Sequence, residues 1–205
     1  MSRGLGDVYK RQMLIGALRL NIPAIIVTAG PMLEGHWQGE DKLTMISGSF
    51  EAVGRFRNGE ISENCLRCLE EESCPSGGSC QGMYTANTMA CLTEVMGMSL
   101  PYCASSSSVS AKKRRIAFES GMRAVELVNE SVLPSDIITK DSLTNAIITS
   151  LAVGGSTNTF LHILAIANAG GIDISIDDFD RLSRDVHQIL SLIHISEPTR
   201  HAQIS

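Results

Sequence analysis

The fold is decided by residues 72–89, which read ESCPSGGSCQGMYTANTM. The first part, residues 74–80, is rich in glycine and serine and therefore predicts a loop. A helix is predicted for residues 85–98, because apolar side chains recur there at helical spacing and Pro101 cannot continue a helix. A cysteine-containing loop thus leads directly into a helix start.

Cys80 lies at the end of this loop, beside the backbone N–H groups that the predicted helix start leaves unpaired. Such groups stabilise negative charge, so this position is predicted to lower the pKa of the thiol and to favour the thiolate. Thiolates are the ligands that iron-sulfur clusters need. An isolated cysteine is more often a small buried apolar residue, but the loop and the helix start favour a ligand role for Cys80.

Upstream of the loop, helical patterns surround one apolar run. Residues 13–20 resemble the end of a helix, and residues 22–30, IPAIIVTAG, predict a strand that is buried on both faces. Residues 42–57 carry a weaker helical pattern, and Ser62 is the predicted N-cap of a polar helix that runs through Glu72. The predicted fold class is therefore α/β, with mostly helical layers around a small parallel sheet.

Downstream of the loop, four further helices are predicted, and they start near Ser110, Ser142, Asn158 and Asp177. The first of them carries a narrow stripe of small residues, which allows close packing against a neighbour. The stripe comprises Ala117, Gly121, Ala124, Val125 and Val128.

The turn before the third of these helices reads Gly154-Gly155-Ser156-Thr157-Asn158 and is a second candidate site. Glycines let a backbone approach a ligand, and the hydroxyls of Ser156 and Thr157 stand where a helix begins. A plain turn between helices with a Ser or Thr cap needs the same residues, so both interpretations stay open. His162 lies on the apolar face of the following helix and is assigned no role.

Four of the six cysteines allow a non-enzymatic alternative, a metal-binding module. The four thiols are those of Cys65, Cys68, Cys74 and Cys80. Against this alternative, the first pair falls within the predicted polar helix rather than in a tight turn, and the later spacings match no common zinc site. The remaining two, Cys91 and Cys103, are predicted to pack in the core.

The composition narrows the class of protein. Of the 205 residues, 43% are hydrophobic and 19% are charged, which is ordinary for a folded chain. The net charge is -5, and the basic residues 112–115 lie at a helix start rather than along a stripe, so no nucleic-acid partner is expected. The longest apolar run is too short to span a membrane and no signal-peptide pattern is present, so a cytoplasmic location without a membrane partner is expected.

Four blocks of sequence together resemble the family of dihydroxy-acid and sugar-acid dehydratases. They are MLIGALRLNIPAIIVTAGPM, CPSGGSCQGMYTANTMACLTEVMGMSLP, AVGGSTNTFLHILAIANAGGI and DDFD, in the order of the family. By this resemblance, residues 13–189 are identified as part of the family's N-terminal domain. Residues 1–12 and 190–205 lack the hydrophobic patterns and resemble translated sequencing adapters, so they are predicted to be foreign to the fold.

The resemblance implies the removal of water from a 2,3-dihydroxy acid to give a 2-keto acid. Family members use an iron-sulfur cluster, of the 2Fe-2S or 4Fe-4S type, which is held by three cysteines, and a magnesium ion that binds the carboxylate end of the substrate. The third cysteine is present as Cys80. The second belongs to a Cys-Asp-Lys triplet whose register falls on Gly6, Asp7 and Val8, so Asp7 matches the family residue only by accident.

Within the family, the segments SLPYCASS and AKKRRIAFESGMRAVELV resemble most the dihydroxy-acid dehydratases of valine, isoleucine and leucine biosynthesis. A sugar-acid substrate is the alternative. The catalytic serine base belongs to a C-terminal domain of the family, so the fragment alone is expected to be inactive. Ser156, Thr157 and Asn158 are expected to form part of the pocket wall, Ser150 stands where many relatives have Asp, and the whole protein is expected to be a homodimer.

Overall fold

The computed structural model of the chain describes residues 6–38 and 40–189, and helices dominate them. The elements in chain order are α1 (Gly6–Leu20), β1 (Gly35–Trp37), β2 (Glu40–Leu43), a π-helical segment (Met45–Glu51), α2 (Ala52–Arg57), α3 (Glu63–Glu72), α4 (Thr85–Val95), α5 (Ala111–Glu130), α6 (Pro134–Ile137), α7 (Lys140–Ala152), α8 (Asn158–Ala169) and α9 (Ile176–Ser183). The predicted predominance of helix is confirmed.

Helix starts follow the capping residues of the sequence. The Ser62 side chain accepts a hydrogen bond from Cys65 N at 3.2 Å, and the Ser110 side chain accepts one from Lys113 N at 3.1 Å. Each cap satisfies an N–H group that the first helical turn leaves without a partner. Helix α9 begins two residues earlier than predicted, because Ser175 rather than Asp177 is its N-cap.

The main hydrophobic core is formed by α1, α4, α7, α8 and α9. Its largest fully buried side chains are Leu14, Met89, Leu92, Met96, Met98, Ile138, Leu143, Ile147, Ile163 and Ile166. A smaller cluster joins the β1–β2 hairpin to α2 and α3 through Leu43, Ala52 and Leu69. In the described part of the chain, no helix is long and apolar enough to cross a membrane.

The described residues contain no parallel sheet, so the prediction of a small parallel sheet is wrong for this part of the chain. Strands β1 and β2 pair antiparallel, with His36 opposite Asp41, and residues 22–30 belong to no strand. Their backbone partners include residues 98–99, which follow α4, and the cysteine loop, and they bond at isolated points: Ile26 N donates to Met98 O at 2.7 Å, and Ser79 N donates to Gly30 O at 2.8 Å. A continuous ladder needs a neighbouring strand along its whole length, and local sequence does not report whether one is there.

Helix α5 differs from the others because it packs broadly against none of the other described elements. Its inner side buries Lys113, whose Nζ donates to the carbonyl oxygen of Cys103 and lies 3.3 Å from the Cys103 Sγ. On its outer side, Val125 is 63% exposed and Val128 is 60% exposed. The small-residue stripe that predicts close packing therefore has no partner among the residues described.

Candidate active site

The cysteine loop, residues 74–84, is hydrogen-bonded to residues 30–33. Ser79 N donates to Gly30 O at 2.8 Å, and Met32 N donates to Ser79 O at 2.8 Å. Gly78 permits this approach, because its φ is 138° and a Cβ there would lie 2.6 Å from Met32 N. Any other residue would force the two backbones apart. The path of the loop is thus fixed immediately before Cys80.

Cys80 is half-buried, and its Sγ donates to Gly82 O at 3.4 Å. Burial raises the pKa of the Cys80 thiol, and this outweighs the lowering effect of the backbone N–H groups of Tyr84 and Asn87. The prediction of a lowered pKa is therefore wrong for this structure. Its argument holds in part, since these N–H groups at the start of α4 act on the sulfur in the predicted direction.

The Gly154–Asn158 turn contacts the N-terminus of α4, which is also where the cysteine loop ends. The Thr85 and Ser156 hydroxyls are 2.8 Å apart, and Asn158 Nδ2 donates to Thr85 Oγ1 at 2.9 Å. Thr85 is the first residue of α4 and Asn158 is the first residue of α8. The N-termini of two helices, which are separated by about seventy residues of chain, therefore converge beside the cysteine loop.

A second set of contacts, made by Thr88, also holds the two helix N-termini together. The Thr88 hydroxyl donates to the carbonyl oxygens of Met83 and Tyr84 at 3.0 Å each, and it accepts from Ser156 N at 3.2 Å. Gly155 lies against Thr88, because a Cβ at Gly155 would be 2.6 Å from Thr88 Cγ2. The helix ends approach as closely as they do because residue 155 has no side chain.

Ser150 is buried behind the turn and does not reach the surface of the site. Its hydroxyl is 3.0 Å from the Thr159 hydroxyl, and its carbonyl oxygen accepts from Gly155 N at 2.8 Å. The Thr159 hydroxyl also bonds Ser156 O at 2.6 Å. Ser150 therefore supports the turn rather than facing the site.

The three predicted wall residues have different positions. Ser156 and Asn158 belong to the hydroxyl cluster at the α4 terminus, and Asn158 is exposed. Thr157 is also exposed, and although it is the N-cap of α8 its side chain makes no capping bond. The Ser156 hydroxyl accepts from Asn158 N at 3.3 Å, so the interpretation of this turn as a Ser or Thr cap applies to Ser156 but not to Thr157. These residues present an amide and a hydroxyl where two helix N-termini favour negative charge.

Two threonines of the site, Thr85 and Thr88, were not identified from the sequence. Both belong to the MYTANTM block and their hydroxyls face the Gly155-Ser156 turn. Lys10 is a third such residue, although it lies in the segment predicted to be foreign: its Nζ donates to Ala86 O at 2.9 Å and its charge acts to lower the pKa of Cys80. Their partners are distant in sequence, so periodicity and spacing carry no signal for them.

The other cysteines do not gather around Cys80. Cys65 and Cys68 are on α3, as predicted, Cys74 is exposed and Cys103 is fully buried. Among the described residues, no group of three or more histidine, cysteine or acidic side chains is arranged to hold a metal ion. The four-thiolate module is thus not supported by the arrangement of its four cysteines.

Comparison with known proteins shows to which family this chain belongs. Residues 8–203 match the family model described as dihydroxy-acid/6-phosphogluconate dehydratase N-terminal. The chain belongs to this family. The match extends into both terminal segments that are predicted to be foreign, and their bounds stay a prediction; residues 190–205 lie outside the described residues.

Individual members of the family are similar over most of this chain. The dihydroxy-acid dehydratase of Endomicrobium trichonymphae is 54% identical over 180 residues, which is 88% of this chain and 33% of that protein. Those of Thermodesulfovibrio yellowstonii and Methanococcus vannielii are 50% and 55% identical over 90% and 88% of this chain. The chain spans about a third of the length of these relatives.

The described residues do not by themselves fit an iron-sulfur cluster. They offer one suitably placed thiol, Cys80, and no set of three ligands. By the resemblance, the Cys-Asp-Lys triplet expected for the family falls on residues 6–8, at the start of α1, where this chain has glycine at the first position.

Proposed function

We propose that this chain forms one wall of the active site of a hydro-lyase that removes water from 2,3-dihydroxy carboxylic acids. The products are 2-keto acids of branched-chain amino-acid biosynthesis. The observation that carries the proposal is the junction at the start of α4, where the Cys80 loop and the Ser156-Asn158 turn meet through Thr85. Two motifs that mark the family by sequence thus meet at one place in space.

The choice of substrate rests on the relatives. Those quoted above are named dihydroxy-acid dehydratase, at 50% to 55% identity. The family also includes 6-phosphogluconate dehydratases by its description, so a sugar acid is the second candidate substrate. The identity to the dihydroxy-acid enzymes favours a branched-chain dihydroxy acid.

Each residue of the junction has a proposed role. Cys80 is proposed as one thiolate ligand of an iron-sulfur cluster, of 2Fe-2S or 4Fe-4S type, and Mg²⁺ is proposed as a second cofactor. With further ligands from the rest of the enzyme, such a cluster would supply a Lewis acid for the departing hydroxyl group. Ser156 and Asn158 are proposed to orient the substrate through hydrogen bonds, and Thr85 holds both of them in place.

The partners, the location and the oligomeric state of the whole protein are also proposed from the relationship to the family. We expect a small-molecule substrate, no nucleic-acid partner, a cytoplasmic location and a homodimeric whole protein. The negative net charge of -5 supports the absence of a nucleic-acid partner.

The proposal is tested in a chimera, because the chain spans a third of its relatives. Residues 13–189 replace the matching segment of the Endomicrobium trichonymphae enzyme, and formation of the 2-keto acid is measured for a branched dihydroxy acid and for a sugar acid. Asn158→Ala is expected to lower kcat/KM at least about tenfold, as for loss of about 1.4 kcal/mol of binding. Asn168→Ala, an exposed asparagine at the other end of α8, is the control.

The control is expected to leave kcat/KM unchanged. Equal kcat/KM values for the Asn158→Ala and Asn168→Ala variants would show that Asn158 does not orient the substrate. Turnover of the sugar acid in preference to the branched acid would favour the second candidate substrate.

A further inference from the structure

Lys113 and Cys103 form a buried contact between an amine and a thiol. Lys113 is buried in the first turn of α5, and its Nζ lies 3.3 Å from the Sγ of Cys103, which is fully buried. The same Nζ donates to the carbonyl oxygen of Cys103. Neither residue belongs to the candidate active site at the start of α4.

The Lys113 amine has no acidic partner that competes for its nitrogen. Among the described residues Lys113 forms no ion pair, and both contacts of its Nζ are with Cys103. The neighbouring Lys112 differs, because its Nζ lies over the Tyr102 ring, 3.9 Å from the centroid. A buried lysine is usually paired with a charged group, whereas Lys113 faces a nucleophilic thiol instead.

The position of Cys103 is fixed by one carboxylate group. Glu94 Oε1 accepts from Tyr102 N at 2.7 Å, and Glu94 Oε2 accepts from Ala104 N at 2.8 Å, so the residues on both sides of Cys103 are bound to α4. Tyr102 has a φ of 67°, a left-handed conformation that persists only where the surrounding structure enforces it. The fold therefore holds the Cys103 thiol within reach of the Lys113 amine.

We propose that Cys103 and Lys113 form a reversible sulfenamide crosslink when the chain meets hydrogen peroxide. In the first step, one peroxide oxygen is transferred to the thiol, which becomes a sulfenic acid, and the other leaves as water. The neutral Lys113 nitrogen then attacks the sulfur. An S–N bond forms, the S–O bond breaks, and the hydroxyl group leaves as water with one proton from the nitrogen. The sulfur loses two electrons in all, and the peroxide gains them.

The contacts of the Cys103 sulfur favour condensation with the amine. The 3.3 Å between Nζ and Sγ lies in the range of about 3 to 3.5 Å from which well-placed groups react. The other polar contacts of the sulfur are with Thr28, whose hydroxyl and carbonyl oxygens lie at 3.6 and 3.9 Å. In the described part of the chain no second thiol contacts Cys103, so a disulfide is not the product that this arrangement favours.

The site lies directly beneath the surface of the segment between α4 and α5. Tyr102 and Ser105, which flank the buried Cys103 and Ala104, are exposed. The buried hydroxyls of Ser106 and Ser107 bond no other group in the part of the chain that the structure describes. Buried hydroxyls of this kind make the interior polar at this point, and such an interior is compatible with the entry of a small polar oxidant.

The crosslink would join the segment between α4 and α5 to the first turn of α5. The same segment supports the cysteine loop, because Ser108 N donates to Pro31 O at 3.0 Å and Ser108 Oγ donates to Gly77 O. Oxidation would therefore fix this support without changing a residue of the candidate site. The inference does not depend on the proposed reaction.

The test is mass spectrometry of the full 205-residue chain after treatment with hydrogen peroxide at mildly alkaline pH, where more of a lysine amine is neutral. Free thiols are then alkylated, and the chain is digested after glutamate without a reductant. Peptide 95–119 contains Lys113 and, as its only cysteine, Cys103. It is expected to lose the mass of two hydrogen atoms and to yield no fragments from between these two residues. Dithiothreitol is expected to reverse both changes.

Two lysine variants are the matched controls. Lys113→Gln is expected to abolish the crosslink and to leave Cys103 as a sulfenic acid that dimedone traps, whereas Lys112→Gln is expected to retain the crosslink. Circular dichroism checks that both variants are folded. In the unmodified chain, fragment ions that separate Lys112 from Lys113 assign the bond independently of either variant.

Three results would each overturn the proposal. One is an unchanged Cys103 peptide under conditions that oxidise the exposed Cys74. The second is a Cys103 sulfinic or sulfonic acid in the unmodified chain without any crosslinked peptide. The third is a crosslink that persists in Lys113→Gln or that requires Lys112.

Discussion

At the scale of single residues, the candidate site depends on one hydroxyl. Thr88 is fully buried, and its Oγ1 both donates to the carbonyl oxygens of Met83 and Tyr84 and accepts from Ser156 N. It therefore links the cysteine loop, the start of α4 and the turn before α8. Losing that hydroxyl leaves a backbone N–H without its partner, which costs more than the bond itself contributes.

Thr88→Val is predicted to lower the free energy of unfolding by about 1 to 3 kcal/mol, because the valine keeps the shape but removes the acceptor of Ser156 N. Thr93→Val is the matched control on the same helix. The Thr93 hydroxyl is buried too, but it only donates to Met89 O, which is a backbone acceptor of α4. Urea denaturation measures both variants. A larger decrease in the free energy of unfolding for Thr93→Val than for Thr88→Val would contradict the role given to Thr88.

Gly155→Ala is predicted to destabilise the chain by about 1 to 3 kcal/mol through overpacking. Its Cβ would lie 2.6 Å from Thr88 Cγ2 and 3.0 Å from Ser150 Oγ. Gly54→Ala is the control, because a Cβ at that exposed position of α2 meets nothing within 4 Å, and a gain of up to about 1 kcal/mol is expected there. Thermal unfolding distinguishes the two, and a neutral Gly155→Ala would show that the helix ends can separate.

At the scale of elements, local chemistry predicted helices well and strands poorly. Ser62 and Ser110 cap their helices as predicted, since a cap bonds an N–H only three residues away. The apolar run at residues 22–30 failed as a strand, because pairing depends on neighbours that are distant in sequence. For the same reason, both site motifs were found separately but their junction through Thr85 and Ser156 was not.

The acid sensitivity of α9 is predicted from its capping box. Hydrogen bonding from Ser175 N at 2.9 Å, and then from Arg181, lowers the pKa of Asp178 from 3.8 to about 2. A carboxylate with a lowered pKa in the folded state stabilises fully above the unfolded value of 3.8, and that stabilisation is lost as the pH falls toward 2. Asp178→Asn is therefore expected to reduce the fall in Tm over this range.

The measurement is the Tm of the unmodified chain and of the variant, by circular dichroism, from about pH 5 down to about pH 2. Asp177→Asn is the control, since Asp177 is an exposed neighbour in the same helical turn. Phe179 joins α9 to the core through Phe160, at 4.6 Å between ring centroids, so loss of the cap is reported by global unfolding. Identical pH profiles for the unmodified chain and Asp178→Asn would contradict this account.

At the scale of the whole molecule, the proposal is that this chain carries one part of an active site. It spans about a third of its relatives, and the described residues contain no set of three metal ligands. The isolated chain is therefore predicted to bind no stoichiometric iron-sulfur cluster after anaerobic reconstitution, because one thiolate does not replace three. A visible absorption band with iron and sulfide in cluster proportion on the isolated chain would contradict this.

The central claim is that the loop before α4 presents Cys80 to a cluster in the whole enzyme. The most direct test is the iron and sulfide content of the chimera described above, with Cys80→Ser compared with Cys74→Ser on the same loop. The account predicts that Cys80→Ser loses the cluster and its visible absorption while Cys74→Ser retains both. A Cys80→Ser chimera with a full cluster would contradict it.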